Sequence, residues 1–428
     1  MATFLHCLPA ADPSAQLNCS TAPLAAPDLL ASLPFGIGLA VFGLLLLVVA
    51  AVWLLRKKHR TIRARRTWRS LAFTFGGFAL VLGLALSANW YAGWIPNWNA
   101  AKIKLGLGDS SRADSRVAKK APPTDQMGTE PIASDGTPVA TAAPISKDKN
   151  GQLPHGATKE FVLPGTEKLA LAKNSVWVYT PPDYDPSGKT AYPVIYLMHG
   201  APGGPEDWIG SGAPDVLDQM ILAGKLAPVV AVAPAVMARA DADSGCLDST
   251  KPGGSQIETF LFEVVKPWTE NHFPVSTDRS ANAISGMSMG GYCAIDQGLR
   301  HKDQFATVLS IMPYGSPGKA GDTMKSNQAE IDAVTPLKYI AALEGFDQDP
   351  LAIWFAVPGG DVGHEVGNDA EAMAKELRAL GQTVDLYIDK DQTHTWKGAI
   401  HALPVGLAFW QKQLGKLGPG NATAAPSS

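Results

Sequence analysis

The chain has 428 residues, a formal net charge of −3 and four cysteines. Near-neutral charge gives no global field for a nucleic-acid partner. Four cysteines without a CxxC pair are too few for a disulfide scaffold and do not read as a zinc site, so no metal is expected.

Residues 1–31 lack the basic start of a signal peptide and are interrupted by Pro9, Pro13, Pro23 and Pro27. They read as a short external tail, in which Cys7 and Cys19 could pair if the outside is oxidising. Asn18-Cys19-Ser20 and, at the far end, Asn421-Ala422-Thr423 match the glycosylation sequon. From Ser32 to Leu55 there is no charged residue, and "FGIGLAVFGLLLLVVAAVWLL" is apolar throughout. Ser70 to Ala100 is uncharged again, around "LAFTFGGFALVLGLAL". Each run matches the ~20 residues with which a helix crosses a bilayer, and neither has the polar face of a helix on a soluble core. Between them, "RKKHRTIRARRTWRS" (56–70) holds eight basic residues and no acid. A short loop this basic is expected to stay cytoplasmic and to meet lipid head groups. Trp90, Tyr91, Trp94 and Trp98 close the second run as an interfacial aromatic belt does. Residues 32–98 thus read as a two-helix membrane anchor with both ends outside.

Over 99–157 the composition turns to Ala, Pro, Ser, Thr, Gly, Lys and Asp without apolar periodicity, which reads as a linker. As a flexible coil it would span roughly 40–45 Å. Residues 417–428 read as a disordered tail.

Residues 158–416 alternate short apolar runs with helical patterns. Strands are predicted at 176–181, 193–200, 227–235, 281–286, 306–312, 351–357 and 383–388, and helices at 256–273, 290–301 and 369–381, with a final helix in "KGAIHALPVGLAFWQKQL". Repeated strand–helix–strand units mean an α/β fold with a mostly parallel sheet covered on both faces. No internal repeat is evident. Cys293, expected on the helix at 290–301, reads as a free buried thiol that behaves as a small hydrophobe.

"GMSMG" (286–290) lies between a predicted strand and a predicted helix, the context that makes Gly-x-Ser-x-Gly a nucleophile elbow with Ser288 at its tip. A serine needs a base, and the base a carboxylate to orient it. In this fold the chain order is serine, acid, histidine. That order leaves His394, in "DKDQTHTW" after the last strand, as the base, with His401 a helix-surface residue. The acid should follow the strand at 351–357, where "PGGDVGHE" supplies Asp361, the first choice, and Glu365, the alternative. The oxyanion donors should be the N–H of Met289 and an N–H of the loop after "YLMHG", at Ala201. His199 reads as structural, closing its strand.

These stretches resemble the esterase family of α/β-hydrolases that includes esterase D-type S-formylglutathione hydrolases, feruloyl esterases and mycolyltransferases. "VYTPPDYDP", "YPVIYLMHGAPGGPEDW" with Trp208, and "ETFLFEVVKPWTENHFPVSTDRSANAISGMSMGGYCAI" carry the resemblance, which covers residues 158–416. "HKDQF" stands where the family has His-Pro-x-x-Phe, and "THTW" is similar to the mycolyltransferase His-Ser-Trp. The resemblance implies an α/β-hydrolase fold, with Ser288 as nucleophile, His394 as base, and Ala201 and Met289 as oxyanion donors. Esterase-type members imply Asp361 as the acid; the mycolyltransferase pattern lies nearer Glu365. "SIMPYG" (310–315) replaces the family's Ser-Gly after the strand, which implies a reshaped acyl or leaving-group pocket.

The sequence therefore predicts a membrane-anchored, extracytoplasmic serine esterase or acyltransferase that needs no cofactor. Its substrate would be a small-molecule, lipid or glycan ester, and membrane lipids would be its other partner. The alternatives are a serine peptidase, and a non-catalytic anchor or binding protein on a hydrolase fold.

Overall fold

The computed structural model describes residues 6–8, 18–20, 32–55, 62–92, 137–145, 153–238 and 242–414, with a few single positions besides. It divides into an N-terminal unit and a larger C-terminal unit.

In the N-terminal unit, β1 (His6–Leu8) pairs antiparallel with β2 (Asn18–Ser20), with Cys7 opposite Cys19 in the backbone register. Their side chains, and the pairing expected of them, lie outside the described residues. Helix α1 (Leu33–Leu55) and helix α2 (Ile62–Ala92) each contain a 20-residue stretch long and apolar enough to cross a membrane. They pack closely at glycines: a Cβ on Gly43 would lie 2.4 Å from the backbone nitrogen of Leu80, and one on Gly83 would lie 2.3 Å from that of Ala40. Phe42, Leu45, Phe75, Phe78 and Val81 point outward and are exposed. The basic loop expected over 56–70 is shorter than read. Its second half forms the first turns of α2, because Arg and Ala are strong helix formers; residues 56–61 lie outside the described residues.

The C-terminal unit is built on eight strands: β3 (Ala157–Val162), β4 (Ser175–Thr180), β5 (Val194–Met198), β6 (Val230–Pro234), β7 (Asn282–Met287), β8 (Thr307–Ile311), β9 (Ala352–Pro358) and β10 (Thr383–Asp389). Their order is β3-β4-β6-β5-β7-β8-β9-β10. Strand β4 is antiparallel to both its neighbours, and β6 through β10 all run parallel. Strands β4 to β9 are buried along their whole length, as unbroken apolar runs in a sheet covered on both faces should be. At the edge, β10 is mostly half-exposed. This is the α/β-hydrolase architecture expected. The chain leaves β5 toward β6 on one side and returns to β7 on the other, so the loops after β5 and β7 diverge at the carboxyl edge and open a crevice.

The linker read over 99–157 ends earlier than expected. Pro138 and Ala140 exchange backbone hydrogen bonds with Ala191, and the Ile145 N–H donates to the Leu222 carbonyl. Ala, Pro and Thr are common in linkers, so composition hid a segment held by its backbone. Most of the remaining linker, and the tail at 417–428, lie outside the described residues.

Cys293 is not free. It forms a disulfide with Cys246, with 5.5 Å between the Cα atoms, tying the helix that follows Ser288 to the loop after β6. The bridge closes a segment of 47 residues, for which chain entropy implies a stabilisation of roughly 4 kcal/mol. The double variant Cys246→Ser/Cys293→Ser is expected to unfold at correspondingly lower denaturant, and reductant to lower the wild-type midpoint but not the variant's. Equal midpoints for the two proteins under oxidising conditions would contradict this.

Candidate active site

Three elements converge at the carboxyl edge of the sheet. Strand β7 ends at Met287 and helix α3 (Met289–Arg300) begins two residues later, with Ser288 alone at the corner. Ser288 has φ 61° and ψ −117°, backbone that a residue with a side chain seldom takes. The corner is possible because its flanks are bare. A Cβ on Gly286 would lie 2.0 Å from the Gly290 carbonyl oxygen, and one on Gly290 would lie 2.1 Å from that of Met198. The elbow therefore presses against the end of β5, and its serine stands above the sheet at the N-terminus of a 12-residue helix, where negative charge is favoured.

His394 comes from the loop between β10 and the last helix, and Asp361 from the turn after β9. His394 Nδ1 lies 2.7 Å from Asp361 Oδ2, and His394 Nε2 lies 2.9 Å from Ser288 Oγ. A carboxylate only accepts, so Nδ1 carries the proton and donates it to Asp361. Nε2 is then an acceptor for the Ser288 hydroxyl. This relay lets the imidazole take the serine's proton as the hydroxyl attacks, while the carboxylate stabilises the imidazolium that results. The half-buried Asp361 is held by a tight turn: a Cβ on Gly359 would lie 2.3 Å from the Lys390 carbonyl oxygen.

Of the two carboxylates open in the sequence, the structure brings Asp361 to His394. Glu365 is exposed at the start of helix α4 (Glu365–Ala379). Met289 opens α3, where first-turn N–H groups have no acceptor inside the helix. Ala201 follows Gly200, which borders Ser288 so closely that a Cβ there would be 3.5 Å from Ser288 Cβ. His199, fully buried, accepts the Val236 N–H at Nε2 (3.1 Å) and donates from Nδ1 to the Gly200 carbonyl (2.9 Å). Burial lowers its pKa, so the ring is neutral and spent on holding the loop that carries Ala201. His401 lies away from the relay on helix α5 (Trp396–Gln413), 2.6 Å from Asp389.

The sequence reading did not single out Tyr314. Its ring centroid lies 6.1 Å from that of His394, and its phenol is close enough to the Ser288 hydroxyl to interact with it. The one signal for it was the departure of "SIMPYG" from the expected Ser-Gly.

The family profile described as "Putative esterase" matches residues 172–400, just over half of the chain. The chain belongs to this esterase family. Esterase Rv1288 of Mycobacterium tuberculosis is 32% identical over 139 residues, 31% of this chain and 27% of that protein. The uncharacterized protein Cgl0967/cg1104 of Corynebacterium glutamicum is 25% identical over 197 residues, 45% of this chain and 43% of that one. The chain thus matches less than half the length of either relative. Among solved structures, a ferulic acid esterase superposes with a TM-score of 0.52 at 21% identity, covering 60% of this chain and 99% of the other. An S-formylglutathione hydrolase from Agrobacterium tumefaciens gives 0.50 at 16% identity, covering 63% and 99%. These two likenesses show the fold.

Proposed function

We propose that the protein is a serine ester hydrolase or acyltransferase, with Ser288 as nucleophile, His394 as base and then acid, and Asp361 as the group that fixes the imidazole. The observation that carries this reading is the hydrogen-bonded run Ser288–His394–Asp361 at a strained elbow. Ser288 Oγ attacks the ester carbonyl and its proton passes to His394 Nε2. The N–H groups of Ala201 and Met289 are assigned to the oxyanion. The carbonyl re-forms, the carbon–oxygen bond to the leaving alcohol breaks, and Nε2 returns its proton to the departing oxygen. Water resolves the acyl-enzyme by hydrolysis; a sugar or lipid hydroxyl resolves it by transfer. An active-site fluorophosphonate is expected to label the wild type within minutes and Ser288→Ala not at all. An unlabelled wild type would favour the non-catalytic alternative. Assay of small-molecule, lipid and glycan esters, with and without an added alcohol, separates hydrolysis from transfer, and peptide substrates test the peptidase alternative.

We also infer that α1 and α2 anchor the protein in the membrane with the basic turn inside, so that the catalytic unit works outside the cytoplasm. The outward-facing apolar side chains of the hairpin support this. So does the Cys246–Cys293 disulfide, a bond that persists in oxidising compartments. Arginine or lysine costs about 2.5–3.5 kcal/mol at the centre of a membrane helix, which opposes moving the basic turn across. A cysteine placed between residues 110 and 130 is expected to react with a small impermeant thiol reagent on intact cells. Reaction only after lysis would reverse the orientation.

A further inference from the structure

The turn after β8 carries a side chain into the site that the relay does not use. Met312, buried, has φ 54°, left-handed backbone that is costly for a residue with a side chain. Its N–H still donates to the Ala356 carbonyl at 2.8 Å, so the departure begins at the last sheet hydrogen bond. Pro313 fixes the next φ. Beyond Tyr314, the Gly315 N–H donates to Asp369 Oδ2 of α4 at 2.8 Å, and the Gly315 carbonyl accepts the Leu337 N–H at 3.1 Å. Leu337 lies so close over Gly315 that a Cβ there would be 2.4 Å from its Cγ. Tyr314 is therefore clamped between a strained methionine and a doubly anchored glycine, and its half-buried ring is held beside His394.

The Ser288 proton is committed to His394 Nε2, so the phenol O–H of Tyr314 is a second donor at the site. Burial raises the phenol's pKa, and the charges of Asp361 and Glu365 raise it further, so the group remains a neutral donor. With its ring held beside the imidazole, the phenol borders the space in front of Nε2 once Oγ is bonded to the acyl carbon. The leaving oxygen departs through that space, and the acceptor oxygen enters by it.

We propose that Tyr314 is a catalytic residue of this site, whose hydroxyl donates a hydrogen bond to the leaving-group oxygen during acylation and to the acceptor oxygen during deacylation. As the tetrahedral intermediate collapses, the carbon–oxygen bond breaks with its electron pair on the leaving oxygen. That oxygen takes the proton held on Nε2, and Tyr314 keeps its own. The donor matters in proportion to the charge that builds on the leaving oxygen. It therefore favours alkyl and sugar esters, whose alkoxides are poor leaving groups, over aryl esters that need little help.

This proposal rests on the serine hydrolase reading, and the test separates the two. Full-length wild type and Tyr314→Phe, purified in detergent, are assayed on an alkyl and a p-nitrophenyl ester of the same acyl group under acylation-limited (kcat/KM) conditions. The variant is expected to lose about 10- to 100-fold on the alkyl ester and only a few-fold on the p-nitrophenyl ester. The readout is the ratio of the two rates within one preparation, so a misfolded fraction cancels. Equal losses on both esters, or no loss on the alkyl ester, would overturn the role of Tyr314 while fluorophosphonate labelling of Ser288 in both proteins upheld the hydrolase. Ester turnover that survives Ser288→Ala would instead sink the hydrolase reading, and the tyrosine's role with it.

Discussion

Ser288→Ala is expected to lower ester turnover by roughly 10⁵- to 10⁶-fold, as loss of the nucleophile does in a serine triad. Removing Oγ removes the atom that forms the acyl-enzyme, so what remains is attack by water, assisted by the oxyanion donors. His394→Ala should cost nearly as much, because an un-ionised serine hydroxyl is a poor nucleophile. The double variant should be hardly worse than either single one, since the residues act as a unit. Neither change should unfold the protein. Alanine keeps the Cβ of Ser288, so the strain of the left-handed corner is unchanged, and the hydroxyl removed belongs to the half-buried relay rather than to the core. The check is kcat/KM on an activated ester beside a thermal melt. A folded Ser288→Ala protein with more than a hundredth of wild-type activity would mean that another group carries the chemistry.

The geometry of the candidate site was legible because each part sits where secondary structure changes. Strand β7 ends in Gly-x-Ser-x-Gly, and the collisions that a Cβ would meet at Gly286 and Gly290 are local consequences of a tight corner. The chain order serine, acid, histidine then reduced the remaining choice to loops after named strands, and His394 and Asp361 meet there. The parallel strands were legible as unbroken apolar runs. Strand β3 was not, because "ATKEFV" is an edge strand with three exposed residues and little apolar signal.

What escaped the sequence depends on where distant segments travel. The pairing of Cys246 with Cys293 requires the loop after β6 to fold back over α3, and no local pattern records that path. The extended segment at 138–145 is fixed by backbone hydrogen bonds, to which its side chains contribute no period. Tyr314 comes to lie beside His394 because Met312 turns the wrong way for an ordinary residue and Gly315 is pinned by Asp369, 54 residues later in the chain.

Asp361→Asn is expected to reduce turnover by roughly 10³- to 10⁴-fold, against less than about twofold for Glu365→Gln. The carboxylate of Asp361 can only accept, which forces the proton onto His394 Nδ1 and leaves Nε2 free to receive one from Ser288. An asparagine of the same shape can present its NH₂ to Nδ1. The proton then sits on Nε2, where it faces the serine as a donor, and the base is lost without any movement of atoms. Glu365, exposed in the first turn of α4, loses with its charge only a favourable interaction with the helix N-terminus, about 0.3–1 kcal/mol of stability. The two variants thus separate by mechanism: one leaves the melting curve nearly in place and abolishes catalysis, the other shifts the melt slightly and leaves catalysis alone. Steady-state kinetics with melts for both proteins decide the assignment. If Glu365→Gln proves the more damaging to turnover, Glu365 orients His394 during the reaction, and the contact with Asp361 belongs to a resting arrangement that substrate binding must rearrange.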